Sequence, residues 1–299
     1  VKTAAIGVDV DSLIQYYRIH GLPTDRATNA AWTVGVPRFV ALFAELGVPA
    51  TFYCVAEDLE TDGNAQRVRA LAEAGHEIGN HTWHHRYDLC QMRPEQRRQE
   101  VAQGQHKLQQ AAGAPVVGFR SPGYNTSAAL QADLVATGHR YDSSVFPCVP
   151  YYSAKAAVMG LMRVRGRRSK SILGSPRVLF APRGPYQADA AEPHRAGTDG
   201  LQQYPVSVAL GVPLIGTAFT ALGPRASVAA VAAGLKLHDH LTLEFHAVDL
   251  MGLIDDGLDP VLSLQPDLKV SVARKQRTFH AALSYVARHA RVSTLAALT

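Results

Sequence analysis

The chain has 299 residues, 47% of them hydrophobic and 18% charged, with 30 Lys plus Arg against 25 Asp plus Glu and a formal net charge of +5. The length suits one globular domain with a sizeable core, the charged fraction is below the roughly 25% usual for soluble proteins, and no run approaches the ~20 apolar residues of a spanning helix, which excludes a disordered chain and an integral membrane protein. An excess of five charges without an aromatic-interleaved basic motif predicts no nucleic-acid partner and only a weak pull toward anionic ones. Cys54, Cys90 and Cys148 are an odd, sparse set with no CxxC pair, so neither a disulfide scaffold nor a zinc ribbon is encoded and a reducing compartment fits best. Val1 runs almost directly into an apolar strand, which as written leaves no signal peptide and places the expected site of action in the cytoplasm.

The first strand reads Ala4-Ala5-Ile6-Gly7-Val8-Asp9-Val10-Asp11-Ser12. In extended geometry Asp9 and Asp11 share a face, so two carboxylates emerge together at a strand end, an arrangement that costs energy unless a cation joins them. An Asp-rich loop opening a helix is the plainer alternative. A helix follows from Pro37, with Phe39, Leu42, Phe43 and Leu46 at i, i+3, i+4, i+7 spacing, a stop at Gly47 and a strand over 50–55. The same phrase recurs at Gly75, Gly113, Gly138 and Gly234, before strand-like runs at 76–79, 115–119, 139–142 and 241–245. Helices alternating with short buried strands predict parallel β/α architecture, with chemistry at the C-terminal strand ends.

Besides the acidic end of the first strand, three places along this frame carry candidate chemistry. After the strand at 76–79 comes His81-Thr82-Trp83-His84-His85; if a helix begins near His81, then His81 and His85 lie one turn apart and can grip one metal ion. Together with Asp11 they would make a two-His, one-carboxylate site suited to zinc, iron, cobalt or manganese, whereas taken alone they are a common surface pair. Arg120-Ser121-Pro122 ends another strand, either as a carboxylate-holding fork or as a surface arginine before a Pro-Gly turn. His246 ends the strand at 241–245, positioned to protonate a leaving amine or simply to be hydrogen-bonded there.

Residues 150–200 break the rhythm and read as an irregular insertion or lid. Its basic run, Arg163, Arg165, Arg167, Arg168 and Lys170, is either a solvated loop or an anion site. The apolar stretch 206–222 is compatible with barrel strand, lid or membrane-facing surface.

In this order the motifs resemble those of the polysaccharide deacetylase family, also called carbohydrate esterase family four or the NodB-homology domain. The acidic pair matches at Asp9 and Asp11, the His-Ser/Thr-x-x-His motif at His81–His85, Arg-x-Pro at Arg120–Pro122, and the terminal strand histidine at His246. The resemblance spans about 1–150 and 200–260. It implies a distorted (β/α)7 barrel over 1–299, with the insertion at about 150–200, and metal-dependent hydrolysis of an N-acyl amino sugar. It further implies one divalent metal, zinc foremost, on Asp11, His81 and His85, with Asp9 as base, Arg120 positioning Asp9, and His246 as acid. A backbone N–H near Tyr124 would serve the oxyanion, and Asp142 would brace the site through Arg120. The chain departs from the family by having Val10 between the two acids and by lacking the tryptophan-bearing motif, whose place is taken by Tyr141–Pro147. A narrower likeness, carried by 8–12, 35–38, 50–53, 76–79 and 245–247, is to the branch acting on sugars linked to undecaprenyl phosphate. That branch would imply peripheral association with an anionic membrane at its inner face. A deacylase of soluble or polymeric glycan or of another small amide, and an inactive carbohydrate-binding relative, are the alternatives.

Overall fold

The computed structural model describes residues 1–164 and 172–299, with the backbone alone for 161–164. The basic run at Arg163, Arg165, Arg167, Arg168 and Lys170 thus falls outside the described side chains. In chain order the elements are β1 (Thr3–Val10), α1 (Leu13–His20), α2 (Val36–Leu46), β2 (Thr51–Cys54), α3 (Asn64–Glu73), β3 (Glu77–Asn80), α4 (Pro94–Ala112), β4 (Gly118–Phe119), α5 (Ala128–Ala136) and β5 (Tyr141–Asp142). There follow α6 (Val149–Val164), β6 (Tyr186–Gln187), β7 (Gln202–Gln203), β8 (Val208–Ala209), β9 (Val212–Pro213), α7 (Gly216–Leu222), α8 (Pro224–Leu237), β10 (His240–His246), α9 (Val272–His289) and β11 (Arg291–Val292).

The glycine-punctuated rhythm is the one the periodicity predicts. At the end of α2, for example, Gly47 adopts φ 63° and its N–H turns back to Ala44 and Phe43 carbonyls, which releases the chain into β2. β10, β1, β2, β3, β4, β5 and β7 are paired in that order, all parallel, and curl into an incomplete barrel; β6 adds an antiparallel edge and β11 a short parallel partner for β1. The gap between β7 and β10 is bridged by the chain itself. Ser207 N donates to the Thr242 carbonyl at 3.0 Å, and Glu244 N donates to that of Leu214 at 3.2 Å. The fold is therefore the distorted (β/α)7 barrel expected. The apolar stretch 206–222 resolves into this seam, the β8–β9 hairpin and α7.

The core lies between the sheet and its helices. Phe39 and Phe43 of α2, Phe52 of β2, Phe245 of β10 and Phe279 of α9 are fully buried and in ring contact, with successive centroids 5.1–6.3 Å apart. The segment expected to be irregular from about 150 instead opens with the sixteen-residue helix α6. Its Gly, Ser and Arg content concealed an apolar-rich first half. Among the described residues, no helix is long and apolar enough to cross a membrane.

One buried histidine ties fold stability to pH. His139 Nδ1–H points at Thr137 Oγ1 (2.8 Å), whose own proton goes to backbone carbonyls, and Nε2 accepts from Asn80 Nδ2 (3.2 Å), so both ring nitrogens are satisfied only in the neutral form. Burial accordingly pushes its pKa down to about 4. Since the folded value lies below the unfolded ~6.5, the unfolded chain binds the proton first. The contribution is whole above pH 6.5 and is lost as pH falls toward 4, on the order of 3 kcal/mol in all. The stability difference between the wild type and His139→Gln, measured by urea unfolding, should shrink across that window; a constant difference would contradict the assignment.

Candidate active site

Parallel register assembles the site at one rim of the barrel. Asp9 is directly opposite His246 and Gly7 opposite Glu244 in the β1–β10 pair, while Val10, Cys54, Asn80 and Phe119 align across β1, β2, β3 and β4. The residues leaving those strand ends, Asp11, His81 and Arg120, are thereby delivered to one place.

Arg120 is completely buried and every arm of its guanidinium is occupied. Nη1 donates to Asp9 Oδ1 at 2.6 Å, Nε to the Ser143 carbonyl at 3.1 Å and Nη2 to Ser143 Oγ at 3.0 Å, and the group lies 4.1 Å from the centroid of the Tyr53 ring. Gly7 makes this possible: a Cβ there would stand 2.8 Å from both terminal nitrogens. Asp9 thus has one oxygen fixed by charge, while its Oδ2 faces His81 Nε2 at 3.9 Å.

His81 and His85 come together, but without the expected helix. Residues 81–85 form a loop in which Thr82 (φ 69°) and His85 (φ 56°) are left-handed, a conformation costly for a β-branched residue. The loop is held by Asn80 Oδ1 on Thr82 N, by Thr82 Oγ1 on His85 N, and by Glu100 of α4, which accepts from Trp83 N and His84 N. The two rings end with centroids 4.9 Å apart.

Asp11 Oδ1 sits 3.3 Å from His81 Nε2 and 3.2 Å from His85 Nε2. His81 Nδ1–H donates to the Arg120 carbonyl at 2.6 Å, which fixes the tautomer and turns the Nε2 lone pair inward. Asp11 Oδ1 is buried and has no hydrogen-bond partner. Two imidazole nitrogens and one carboxylate oxygen, all within 4.8 Å of one another, form a donor set that fits a divalent cation. Burial favours the protonated Asp11, but the proximity of the His85 and His81 imidazoles outweighs it and holds the carboxyl well below its usual range.

His246 approaches from the opposite side, with Nε2 3.8 Å from Asp11 Oδ2 and Nδ1 3.0 Å from Glu244 Oε1. Burial would lower its pKa, yet Glu244, Asp11 and Asp9 together hold it well above the ordinary imidazole value. Glu244 escaped the sequence reading, although its position two residues before His246 puts both on one face of β10.

These groups floor a cavity of about 220 Å³, walled by Tyr124, Tyr151, Lys155 and Ile215. A larger cavity of about 610 Å³ adjoins it, sharing Ile19, His85 and Tyr87 and extending past Gln15, Arg18 and Arg86. Ile19, Tyr151 and Lys155 come from α1 and α6, where no motif marks them. Tyr124, Phe146 and Tyr151 pack edge to face or tilted, with centroids 4.7–5.9 Å apart, and stand beside the cavity where the tryptophan of the resemblance is missing.

Two expectations are corrected. The Asp142 carboxylate is fully buried and accepts from Gln131 Nε2, Ser144 N and Ser144 Oγ, so it shapes the turn that presents Ser143 and touches neither Arg120 nor the cavity. The Tyr124 amide donates to the Ser121 carbonyl at 3.1 Å and closes a turn rather than awaiting an oxyanion. Tyr124 instead contributes its side chain, which lines the cavity together with His246.

Residues 28–141 match the family model described as polysaccharide deacetylase. The chain is 27% identical over 154 residues to the peptidoglycan deacetylase of Helicobacter pylori, a match covering 50% of this chain and 52% of that protein, so the chain spans about half the length of the curated relative it matches. A solved structure of a Mycobacterium smegmatis protein assigned as a polysaccharide deacetylase superimposes with a TM-score of 0.64 at 19% identity, over 99% of this chain and 88% of that one, a likeness of fold. Over residues 28–141 the chain is similar to the polysaccharide deacetylase family, and over nearly its whole length it shares the fold of the Mycobacterium smegmatis protein.

Replacing Arg120 by Met would leave Asp9 an unpaired buried carboxylate. Chemical unfolding of Arg120→Met should show a loss of about 3–5 kcal/mol; a loss below about 1 kcal/mol would mean that the pair does not organise the rim.

Proposed function

We propose that the protein is a metal-dependent N-deacylase that hydrolyses the amide of an N-acyl amino sugar within a glycan. The observation that carries this reading is a metal-ligand triad flanked by a carboxylate on one side and an imidazole on the other, all on the floor of one cavity. A divalent ion held by Asp11, His81 and His85 would supply Lewis-acid activation of the amide carbonyl and of a water.

The remaining chemistry belongs to the side chains. Asp9, with Oδ1 tied to Arg120, keeps Oδ2 free to take a proton from the attacking water as its oxygen bonds the carbonyl carbon. His246, supported through Nδ1 by the Glu244 charge, presents Nε2 to the cavity and gives its proton to the nitrogen as the C–N bond breaks. The products are a free amine and a carboxylate. Tyr124, Phe146 and Tyr151 offer an apolar wall for a small acyl group.

The adjoining 610 Å³ cavity favours more than one sugar unit. Gln15, Arg18, His84 and Arg86 supply hydrogen-bonding groups and Tyr87 a flat apolar face, the mixture that sugar rings use. A small amide would leave this space unused. An undecaprenyl-phosphate-linked sugar at a membrane face is the narrower variant, supported by the short sequence runs that resemble that branch.

The test is release of acetate and formate from N-acyl amino-sugar oligomers, from the monomer and from the undecaprenyl-phosphate-linked sugar, with and without chelator. Chelator-sensitive release greatest from the oligomer is expected; release only from the lipid form would replace the oligomer by that substrate, and no release from any would refute the deacylase. Calorimetry should show that His81→Ala or His85→Ala abolishes binding of Zn²⁺ while the fold persists. Asp9→Asn should bind metal but not turn over, and His246→Ala should slow release roughly 10²–10⁴-fold. An active Asp9→Asn variant would remove that residue from the base role.

A further inference from the structure

Among the described residues, the Arg and Lys side chains around the two cavities each meet a carboxylate, with one exception. Arg18 pairs with Glu57, Arg86 with Asp88 and Arg120 with Asp9, each at 2.6–2.7 Å. Lys155 is different. It projects from α6 one turn after Tyr151, lines the catalytic cavity together with Asp9, His85 and His246, and its ammonium donates to the Gly123 carbonyl at 3.3 Å. Among the described residues no carboxylate lies within ion-pair distance of it, and burial alone, with no charged neighbour contributing, pushes its pKa down to about 8. A half-buried ammonium with one weak neutral partner is costly to hold and is stabilised by any anion that arrives.

Its position excludes the plainer explanations. A solvated surface lysine would extend into water and show no desolvation, and a lysine serving the fold is held as Lys275 is, fully buried with its ammonium 2.7 Å from the Met251 carbonyl, whereas Lys155 faces a cavity and its one partner is 3.3 Å away. Among the described residues Lys155 makes no hydrogen bond or ion pair with Asp11, His81, His85, Asp9 or Arg120, so its charge is not spent on holding those groups.

We propose that Lys155 is a specificity-determining residue that recognises an anionic substituent, a carboxylate or a phosphate, carried by the substrate close to its acylamino group. This rests on the deacylase reading and narrows its substrate class to charged amino sugars. The recognition is a charge-assisted hydrogen bond in a partly desolvated site, worth roughly 10- to 100-fold in affinity.

The test uses three matched ligands: a neutral N-acetyl hexosamine, its 1-phosphate, and its carboxyalkyl ether. Binding to the whole protein is measured by calorimetry with and without Zn²⁺, for the wild type, Lys155→Met and Lys155→Arg, and acetate release is followed in parallel. The wild type should bind at least one anionic ligand roughly 10- to 100-fold more tightly than the neutral one. Lys155→Met should abolish that preference, read as the ratio of anionic to neutral affinity within each variant, and Lys155→Arg should retain it. Whether phosphate or carboxylate gains more identifies the substituent. Equal binding of all three by the wild type, or a preference that survives in Lys155→Met, would overturn the proposal. Absence of acetate release from every ligand would count against the deacylase reading, while the binding preference would still decide the role of Lys155.

Discussion

The arrangement depends first on one buried ion pair. Arg120 and Asp9 meet on the inside of the barrel, where removing either charge from water costs several kcal/mol, and only complete hydrogen bonding makes that tolerable. The requirement propagates outward. Gly7 must lack a side chain, Ser143 must present both its carbonyl and its hydroxyl, and Tyr53 must lay its ring beneath the guanidinium. The Arg120 carbonyl in turn orients His81. A single residue thereby fixes the candidate base through its guanidinium and a candidate metal ligand through its backbone carbonyl.

Two kinds of precision meet at this rim. Asp9, Glu244 and His246 are placed by parallel strand register, which admits no slip while the β1–β10 face stays buried. His81 and His85 are placed by a loop that leaves ordinary backbone space twice within five residues, and the hydrogen bonds to Asn80, Thr82 and Glu100 offset that strain. A helix would have set the two imidazoles one turn apart along its axis. The loop lets both Nε2 atoms converge on a single carboxylate oxygen.

Much of this was legible in the sequence because the strand ends are marked twice, by glycine-stopped helices before them and by polar residues after them. Asp9, Asp11, His81, Arg120 and His246 all sit where apolar alternation stops, which is why their convergence follows from fold class. Other features left no such trace. The spacing of His81 and His85 suits a helix equally well, and the hydrogen bonds of Asn80, Thr82 and, from a distant helix, Glu100 decide against it. Asp142 sits at a strand end like the others, but its carboxylate turns into the adjoining turn rather than the cavity. Tyr151 and Lys155 lie on α6, whose apolar residues are diluted by Gly, Ser and Lys, so neither the helix nor its orientation could be read from periodicity.

The chain leaves the barrel after β5 and returns at β7, and these two strands are immediate neighbours in the sheet. Everything from 143 to 201, including the helix that carries Tyr151 and Lys155, is therefore an excursion whose two ends are clamped a strand's width apart. Closing such a loop costs little more when it lengthens, since the entropy grows only as the logarithm of its size. The candidate site's Asp9, Asp11, His81 and His246 sit at the ends of the staves and the excursion supplies one wall of the pocket. Evolution is thus free to rewrite what the pocket admits, by insertion, deletion or wholesale replacement of that segment, while the machinery beneath it inherits unchanged coordinates.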